Sequence, residues 1–465
     1  MRSSRNIAVI LAAGAGTRMR SSLPKPLHPV AGIPMLGHVV RAVRSAGVDE
    51  VIVVASPAIQ RDGRWRAFTA DVTVALQDEP LGTGHALQSA LTAVAVADTI
   101  VVAFADHPLL LSSSLDALIA ARSRHGVQCA LLTCVLDDAA GYGRIDRDED
   151  GRVTGIVECK DDAPSLREGR TEVNSGMMAL DAAWARDAVG RIEPSPTTGE
   201  LYLTELVRMA VGGAPSDPWP VVTVEGAPEE LVGINDRLDL ARADSIMRGR
   251  IREGHMRLGV TMVGADSITI DADVAIGADS TIFPGSLLLA GTVVGSGCVI
   301  GPDAVIERSM IGNGCSVRSS YVIDSTMEAE SDVGPYSHVR GESRIGERVH
   351  IGNFVELKRA RIAPEVRIGH VSYVGDATVG ARTNIGAGTV TCNFDGVDKH
   401  ETVIGADVFV GSDSMLVAPI TLGDGSATGA GSVVTKDVPP GTTVVGIPAR
   451  PIGSTRRRTM GDQPA

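Results

Sequence analysis

Aromatic residues, cysteines, basic residues and long hydrophobic runs are all scarce in this sequence. Aromatic residues make up 3% of the 465 residues, and the six cysteines contain no Cys-x-x-Cys pair, which argues against a disulfide framework or a zinc site. We therefore expect a reducing, cytoplasmic compartment. No window approaches the ~18 to 20 apolar residues of a membrane span, and the apolar run Ile7–Ala13 is too short for a secretory signal. Asp and Glu outnumber Lys and Arg by 56 to 43, which argues against a nucleic-acid binder.

Glycine, by contrast, is abundant. The chain has 53 glycines, 44% hydrophobic residues and 21% charged residues, which is otherwise the composition of an ordinary globular protein. The length leaves room for two or three domains with a large buried core. Many glycines with few aromatics are typical of tight corners around a small aliphatic interior.

A six-residue repeat runs from Ile270 to Val434. The leading residue of each copy is usually aliphatic and usually followed by glycine, with copies starting at Ile276, Val294, Ile300, Ile345, Ile351, Ile368, Ile385, Ile404, Val410, Leu416, Leu422, Thr428 and Val434. A helix repeats every ~3.6 residues and a flat strand every ~2, so neither fits. The period instead indicates a coil of short parallel strands that turns a corner at each hexad. Pro439, Pro440 and Gly441 are expected to end the array.

These hexads resemble those of the hexapeptide-repeat acyltransferases. The resemblance implies an all-β, left-handed parallel β-helix that works as a homotrimer. Both the handedness and the trimer rest on the resemblance, since spacing alone shows neither and left-handed crossovers are exceptional.

The N-terminal half alternates between strands and helices. Strands are predicted at Ile7–Leu11, Val51–Ala55, Val72–Gln77 and Ile100–Phe104, and helices after Pro34, at His85–Val94 and at Leu115–His125. This alternation predicts a doubly wound α/β domain with buried strands. Between Gly141 and Glu158 the pattern changes to a hairpin with its turn at Glu149–Gly151.

One long helix separates the two halves. Residues Asp236–Gly254 carry an apolar stripe of Leu240, Ala243, Met247 and Ile251, and Asp236 is suited to cap the helix. We predict an α/β domain over 1–233, a connecting helix over 234–256 and a β-helix domain over 257–452. The polar tail over 453–465, which includes the Arg456–Arg458 run, is expected to be disordered.

A glycine-rich turn follows the first strand. It reads Leu11-Ala-Ala-Gly-Ala-Gly-Thr-Arg-Met, and Lys25 follows within Leu23-Pro-Lys-Pro. Glycines between a buried strand and a helix free backbone N–H groups for phosphate oxygens. The turn is neither a Walker A loop nor a dinucleotide fingerprint, because no Gly-Lys-Ser/Thr follows and Met19 replaces the third glycine. A glycine pair alone would indicate only a tight turn, but Arg18 and Lys25 add two cations suited to a triphosphate.

Together these residues resemble the sugar-nucleotidyltransferases, whose signature is such a loop followed by Arg and Pro-Lys. Gln77 precedes Leu81-Gly-Thr-Gly-His, which resembles the uracil-recognising segment of the uridylyl enzymes. The resemblance implies catalytic roles for Arg18 and Lys25. It also implies contacts to UTP or the UDP-sugar from Leu11, Ala12, Ala13, Gly14, Lys25, Gln77, Gly82, Thr83, Gly143, Glu158, Asn174 and Asn235, with Thr204 at a further sugar-contacting position.

Asp106 is the candidate metal ligand. It follows the strand Ile100–Phe104, where ligand sites of open α/β sheets lie, and a carboxylate facing phosphates there suits Mg²⁺. An Asp in this position can also be a cap or turn residue. The resemblance adds Asn235 as a second ligand and Mg²⁺ as the cofactor.

The chain departs from the family at Ala15, where Lys is common, and at Ala105 and His107, where Gly and Val or Thr are commoner.

Several large polar residues interrupt the small-residue pattern of the hexads. They are Arg340, Lys358, His370, Tyr373, Asn384, Asn393 and Lys399, and the last two lie on the insertion Thr391–His400. Loops inserted in a solenoid commonly serve binding. A lone His on a β surface is more often a solvated bystander, but an imidazole with a pKa near ~6.5 is suited to take a proton from an ammonium group.

The acyltransferase resemblance assigns these residues roles. It implies that His370 is the catalytic base and that Arg340, Lys358, Tyr373 and Asn384 bind glucosamine-1-phosphate. It implies that acetyl-CoA contacts Asn393, Lys399, Ser412 and Ala430, with Arg450 a candidate. Gly341 stands where Pro is common, and the ending Val445-Gly-Ile-Pro-Ala-Arg is closer to other hexapeptide acyltransferases.

Over Ile7–Val438 the chain resembles one family of bifunctional enzymes. Such enzymes acetylate glucosamine-1-phosphate with acetyl-CoA, then transfer a uridylyl group from UTP, and the UDP-N-acetylglucosamine feeds peptidoglycan and lipopolysaccharide synthesis. One alternative is a nucleotidyltransferase with a regulatory repeat domain, as in ADP-glucose or GDP-mannose pyrophosphorylases. Another is a non-enzymatic trimerisation scaffold. The His370/Tyr373 hexad and the 391–400 insertion argue against the first, and the cations and amides between 340 and 399 argue against the second.

Overall fold

A computed structural model of the chain describes residues 4–14, 16–69, 71–94, 96–139, 141–158, 168–196, 198–212, 218–231 and 233–454. The chain divides into two compact units, Met1–Met247 and Arg248–Ala465. Ala15 and the Arg456–Arg458 run, both singled out in the sequence, lie outside the described residues. Within the described residues, no helix is long and apolar enough to cross a membrane.

The first unit is an α/β domain. Its strands are β1 (Asn6–Leu11), β2 (Pro29–Val30), β3 (Ile33–Pro34), β4 (Glu50–Ala55), β5 (Thr73–Leu76), β6 (Thr99–Phe104), β7 (Cys129–Asp138), β8 (Arg144–Arg147), β9 (Val153–Val157), β10 (Glu168–Asp181) and β11 (Val221–Glu225). Its helices are α1 (Met35–Ser45), α2 (Pro57–Arg61), α3 (Thr83–Leu91), α4 (Ser112–His125), α5 (Ala182–Val189), α6 (Glu205–Val211) and α7 (Arg237–Arg257), which continues into the second unit. The predicted strands and helices are all present, with ends shifted by a few residues.

The main sheet has helices on both faces. Its strand order is β11-β7-β10-β6-β1-β4-β5. Alternate residues of β1 enter two separate cores: Ile7 and Val9 pack with residues of α3, α5 and α6, whereas Ala8 and Ile10 pack with residues of α1 and α4. This arrangement confirms the doubly wound α/β prediction. The sheet is mixed rather than fully parallel, because β10 runs antiparallel to both β6 and β7.

The hairpin and the long helix form where the sequence indicates them. Strands β8 and β9 pair in antiparallel register around the predicted turn, with Gly151 in the left-handed region at a φ of 76°. The Asp236 carboxylate accepts hydrogen bonds from the N–H groups of Leu238 and Asp239, at 2.8 and 3.0 Å, and so caps α7. The division between the two units falls within α7, between Met247 and Arg248. The separate connecting-helix segment over 234–256 stays a prediction.

The second unit is a parallel β-helix in which each coil contributes short strands to three columns. One column contains Thr261–Met262, Thr281–Ile282, Val299–Ile300, Ser316–Val317, Asp332–Val333, Asn384–Ile385, Phe409–Val410, Ala427–Thr428 and Thr442–Gly446. The next contains Thr269–Ile270, Leu287–Leu289, Val305–Glu307, Tyr321–Ile323, His338–Arg340, Val390–Cys392, Met415–Val417 and Val433–Val434. The long strands His350–Lys358 and Arg367–Gly375 pass through both columns.

The third column forms a separate sheet. Its strands are Ala275–Ile276, Val293–Val294, Met310–Ile311, Thr326–Met327, Arg344–Ile345, Arg361–Ile362, Ala377–Val379, Thr402–Ile404 and Ile420–Leu422. The described pairings between coils in all three columns are parallel. This confirms the coil that the six-residue period predicts.

The interior of the coils is aliphatic, with hydroxyl groups at the corners. The hexad-leading residues Ile300, Ile351 and Ile368 are fully buried in one continuous core. Buried Ser337 donates its hydroxyl proton to the carbonyl of Gly352 at 2.6 Å and accepts from the N–H of Val355 at 2.9 Å. Small polar side chains therefore satisfy the hydrogen-bonding capacity of the backbone at the corners. Because these side chains are small, adjacent coils remain close enough to pair.

The predicted end of the array is wrong by part of a coil. Thr443 and Val444 pair in parallel with the preceding coil, beyond Pro439–Gly441, and Val444 is buried. The strand Ala449–Ser454 then folds back antiparallel on Thr442–Gly446. Gly453 and Ser454 therefore belong to a hairpin and not to the predicted disordered tail, and residues 455–465 lie outside the described residues.

The glycines of equivalent hexads in two successive coils provide a test of coil stacking. A Cβ added at Gly352 would overlap the carbonyl oxygen of Gly369, whereas a Cβ at Gly369 would meet nothing within 4 Å. We expect Gly352→Ala to lower the free energy of unfolding of the β-helix by about 1–3 kcal/mol, because overpacking must separate two coils. Gly369→Ala is the matched control and should cause no loss. Calorimetric unfolding of both variants measures the difference, and equal losses would contradict the stacking described above.

Candidate functional sites

The glycine-rich loop after β1 lines a cleft at the carboxyl ends of the parallel strands. The cleft has a volume of about 390 Å³ and is lined by Leu11, Ala12, Ala13, Gly14, Gly16, Lys25, Pro26, Gln77, Pro80, Gly82, Thr83, Ala86, Phe104, Ala105, Asp106 and Glu200. Ligands of open α/β sheets bind at this edge. Most of the residues predicted to contact UTP therefore share one cleft. Glu200 also lines it, although no local pattern marks Glu200 in the sequence.

Two cations and two oxygen ligands meet at one end of this cleft. Lys25 Nζ donates to Asp106 Oδ2 at 2.5 Å and reaches Asn235 Oδ1 at 3.5 Å. Arg18 donates to the same Asn235 oxygen at 2.7 Å. Gly16 has a φ of 60°, and a Cβ there would press against the Lys25 side chain, so glycine is required at this turn. The fold thus brings together the four residues predicted to act on the phosphates.

Asp106 is held as a carboxylate. Burial opposes its charged form, but His107 and then Lys25 outweigh burial and hold the pKa of the Asp106 carboxyl well below its usual range. The described residues contain no group of three or more His, Cys, Asp or Glu side chains that could hold a metal ion. The carboxylate of Asp106 and the amide oxygen of Asn235 are nevertheless hard ligands of the kind Mg²⁺ prefers, and Mg²⁺ usually takes its other ligands from water and substrate phosphates. These two residues therefore fit the predicted ion.

His107 is a site residue that the sequence marked only as a departure. Its Nδ1 lies 2.9 Å from Asp106 Oδ1, its ring packs 5.9 Å from that of Phe104, and 8% of its surface is exposed. A Cβ at Gly233 would lie 3.0 Å from His107 Nε2, so glycine leaves room for the ring. His107 thus occupies one side of Asp106, and Lys25 occupies the other.

The predicted sugar-contacting residues form two pairs. The N–H of Asn174 donates to the carbonyl of Gly143 at 2.8 Å, and the Thr204 hydroxyl donates to Glu158 at 3.0 Å. A Cβ at Gly143 would lie 3.6 Å from Glu158, so the two pairs are neighbours. Gln77 donates its amide protons to the Gly82 carbonyl at 3.2 Å and to a ring nitrogen of His85 at 2.9 Å, which holds the loop after β5 in place.

In the β-helix, cations from successive coils lie side by side. Arg340 and Lys358 are directly opposite each other in the parallel register. Lys399 and then Arg340 lower the pKa of Lys358, because each adds positive charge beside it. Arg340 is also paired with Glu356. Like charges in adjacent strands destabilise a sheet, and a bound phosphate would offset that repulsion.

The 391–400 insertion folds back onto this cation cluster. Asn393 is buried and donates to Asp376, and its amide nitrogen lies 3.5 Å from the Tyr373 hydroxyl. Asp376 also accepts from Arg359 at 2.6 Å. A cleft of about 360 Å³ beside the insertion is lined by Gly341, Glu342, Arg344, Arg359, Arg361, Asp376, Lys399, His400 and Glu401. The structure therefore brings Arg340, Lys358, Tyr373, Asn393 and Lys399 together.

Other predicted acetyl-site residues lie elsewhere on the coils. His370 is exposed three residues before Tyr373 on the same strand, and its ring bonds to Asn353 of the preceding coil. Asn384 pairs in register with Arg367 and Phe409. Ser412 and Ala430 lie on successive coils, where Gly431 donates to the Ser412 carbonyl at 2.8 Å, and Arg450 is exposed in the terminal hairpin. Among the described residues, no hydrogen bond joins His370 or Asn384 to the cation cluster.

The sequence of each unit matches a known family. Residues 8–141 match the MobA-like NTP transferase domain. Residues 401–436 match the bacterial transferase hexapeptide (six repeats), and residues 267–308 match the hexapeptide repeat of succinyl-transferase. The matches agree with the glycine-rich cleft in the first unit and the coils in the second. They also agree with a left-handed β-helix.

Proteins named Bifunctional protein GlmU are similar to the chain over nearly its whole length. The protein from Pseudomonas syringae pv. tomato is 44% identical over 439 residues, which cover 93% of each chain. The protein from Mycolicibacterium vanbaalenii is 42% identical over 447 residues, covering 94% of this chain and 89% of its own. The protein from Corynebacterium aurimucosum is 40% identical over 452 residues, covering 94% and 90%. With a nucleotidyltransferase cleft in one unit and hexapeptide coils in the other, the chain belongs to the family of bifunctional GlmU proteins.

Proposed function

We propose that the chain makes UDP-N-acetylglucosamine in two steps. The β-helix unit transfers an acetyl group from acetyl-CoA to the amine of glucosamine-1-phosphate. The α/β unit then transfers a uridylyl group from UTP to N-acetylglucosamine-1-phosphate and releases pyrophosphate. The observation that carries this proposal is the meeting of Lys25, Arg18, Asp106 and Asn235 beside the glycine-rich loop, on a chain whose other unit is an acyltransferase β-helix.

The uridylyl step needs charge neutralisation and little else from the protein. A phosphate oxygen of the sugar forms a bond to the α-phosphorus of UTP, and the bond from that phosphorus to pyrophosphate breaks. Arg18, Lys25 and the amides of the loop at Leu11–Gly14 offset the charge on the phosphates. Mg²⁺, when held by Asp106 and Asn235, would supply further positive charge there. A phosphate dianion is already a nucleophile, so no general base is assigned.

The acetyl step needs a base. His370 takes a proton from the ammonium group of glucosamine-1-phosphate, and the free amine attacks the thioester carbonyl of acetyl-CoA. The C–S bond breaks, the departing thiolate takes that proton back from the imidazolium, and the second proton on the attacking nitrogen is lost to water as the amide forms. Arg340 and Lys358 bind the sugar phosphate, with Tyr373 and Asn384 as further contacts. Asn393, Lys399, Ser412, Ala430 and Arg450 are proposed on the acetyl-CoA side.

A homotrimer formed through the β-helix is part of the proposal. Tyr336 and Phe354, on successive coils, stack with ring centroids 5.5 Å apart and are 64% and 56% exposed. Val371, on the next coil and beside His370, is 58% exposed. A partner subunit that covers this apolar column would remove its side chains from water. The same partner subunit would bring its own cation cluster towards His370.

The five described free cysteines are compatible with a cytoplasmic location, which stays a prediction.

An assay of the purified chain with single components omitted tests the two-step scheme. With Mg²⁺, glucosamine-1-phosphate, acetyl-CoA and UTP present, free thiol and pyrophosphate should both appear. Without UTP, thiol should still appear, whereas without acetyl-CoA no pyrophosphate should form. Pyrophosphate from N-acetylglucosamine-1-phosphate with no thiol release under any condition would favour the alternative in which the repeat domain is not catalytic. Chelation of Mg²⁺ should stop pyrophosphate release only.

Lys25→Ala should abolish uridylyl transfer and leave acetyl transfer intact. The substitution removes the ammonium group that lies between Asp106 and Asn235. Pyrophosphate release from UTP and thiol release from acetyl-CoA are measured on the same preparation. Lys436→Ala, at an exposed lysine of the β-helix, is the matched control and should retain both rates. Equal loss of both activities in Lys25→Ala would refute the assignment of two separate sites.

His370→Ala should lower the rate of acetyl transfer by about 10² to 10⁴, the usual contribution of a general base. Uridylyl transfer should be unchanged and serves as the internal control for folding. His350→Ala removes another exposed histidine of the array, whose Nδ1 bonds to Asp332 at 2.8 Å, and should keep acetyl transfer near the normal rate. A normal acetyl-transfer rate in His370→Ala would remove His370 from the mechanism.

A further inference from the structure

The hydrogen-bond partner of His370 occupies the equivalent place in the preceding coil. Ile351-Gly-Asn-Phe and Ile368-Gly-His-Val align, and the parallel register sets Asn353 directly opposite His370. The ring Nδ1 of His370 lies within hydrogen-bond distance of Asn353 Oδ1. The other ring nitrogen, Nε2, has no hydrogen-bond partner among the described residues. Asn353 is half-buried, whereas His370 is exposed.

The backbone around the two residues leaves little freedom. Phe354 follows Asn353 with a φ of 59°, and Val371 follows His370 with a φ of 40°. A β-branched residue in the left-handed region is strained, and such a conformation persists only where the surroundings determine it. Buried Ser372 donates its hydroxyl proton to the carbonyl of His370 at 2.8 Å, which holds the bend. The side chains of Asn353 and His370 therefore point in the same direction, because each lies at the same bend of its own coil.

The hydrogen bond decides which nitrogen of His370 can act as a base. An amide oxygen can only accept, so the proton of the neutral ring must be on Nδ1 and the lone pair on Nε2. The same oxygen remains a suitable acceptor when the ring becomes an imidazolium, so proton uptake requires no rearrangement of Asn353. With the amide reversed, its NH₂ would donate to Nδ1, the ring proton would be on Nε2, and no exposed lone pair would remain.

We propose that Asn353 is a positioning residue for the acetyl-transfer step, which fixes the Nδ1–H tautomer and the orientation of His370. The inference rests on the proposed function, in which His370 is the base. The inference adds that a neutral acceptor on the preceding coil sets the tautomer and the orientation of this base. A carboxylate in that place would add a charge beside the imidazole and stabilise its protonated form. An amide orients the ring without doing so.

The tautomer of His370 in the wild-type protein gives the most direct test. In the ¹⁵N spectrum of histidine-labelled full-length protein, above the range where imidazole is protonated, His370 should show a protonated Nδ1 and an unprotonated Nε2. His370→Ala identifies the signals. His350, which bonds to Asp332, is the internal reference. A His370 ring protonated on Nε2 would overturn the proposal without any variant of Asn353.

Two variants of Asn353 then separate acceptor chemistry from packing. Asn353→Leu keeps the branched shape of the side chain but removes the acceptor, so the Nδ1–H signal should be lost. The acetyl-transfer kcat should fall by about 10- to 100-fold, part of what a general base contributes, with KM for glucosamine-1-phosphate little changed. Asn353→Asp keeps an acceptor, so His370 should retain the Nδ1–H tautomer. At a pH where His370 is neutral, this variant should also retain most of the acetyl-transfer rate. Uridylyl transfer by both variants should be normal.

The outcomes distinguish this inference from the proposed function. A normal acetyl-transfer rate in Asn353→Leu, or an equal loss of rate in Asn353→Leu and Asn353→Asp, would overturn the positioning role of Asn353. A normal acetyl-transfer rate in His370→Ala would instead overturn the function on which the inference rests. Retention of the Nδ1–H signal in Asn353→Leu would show that another group sets the tautomer and would also overturn the proposal.

Discussion

The β-helix unit depends on the pairing of each coil with the next one. Every short strand takes its backbone partners from the neighbouring coils, so a side chain at one hexad position lies beside the side chain at that position in the next coil. This constraint generates several of the polar contacts of the candidate acetyl site. It sets Arg340 beside Lys358 and Asn353 beside His370, and it brings Arg359 to Asp376. Small residues and hydroxyls at the corners keep the coils close enough for this pairing.

The α/β unit builds its site by a different route. Parallel strands place their carboxyl ends at one edge of the sheet, and loops far apart in sequence meet there. Lys25 and Asp106 are separated by 81 residues and Lys25 and Asn235 by 210. Burial alone would raise the pKa of the Asp106 carboxyl, but His107 and then Lys25 outweigh burial and hold that pKa down. The protein's own side chains therefore set the charge of this site and hold its residues in place. One of them is His107, a partner of Asp106 that the sequence motifs did not indicate.

The departures from the sequence-based predictions have physical causes. Prolines at 439 and 440 do not end the array, because a parallel coil can accept proline at a corner where its missing N–H is not needed. Strand β10 runs antiparallel within an otherwise parallel region, since alternation along the chain does not specify direction. A strict period of six would place the partner of Asn353 three hexads later. The observed partner is 17 residues on, because one corner of that coil is shorter by a residue.

By itself the sequence determined the two architectures, the glycine-rich loop and most of the candidate site residues. Those signals are local: residue type and spacing along a few turns of chain record whether a segment is a helix, a buried strand or a corner. Tertiary structure alone decided that Lys25 lies between Asp106 and Asn235, that Glu200 lines the cleft, and that Asn353 contacts His370. Such contacts depend on sheet order and on the length of individual corners. A shift of one residue in the pairing register would give each side chain different cross-strand neighbours, and no local sequence pattern specifies that register.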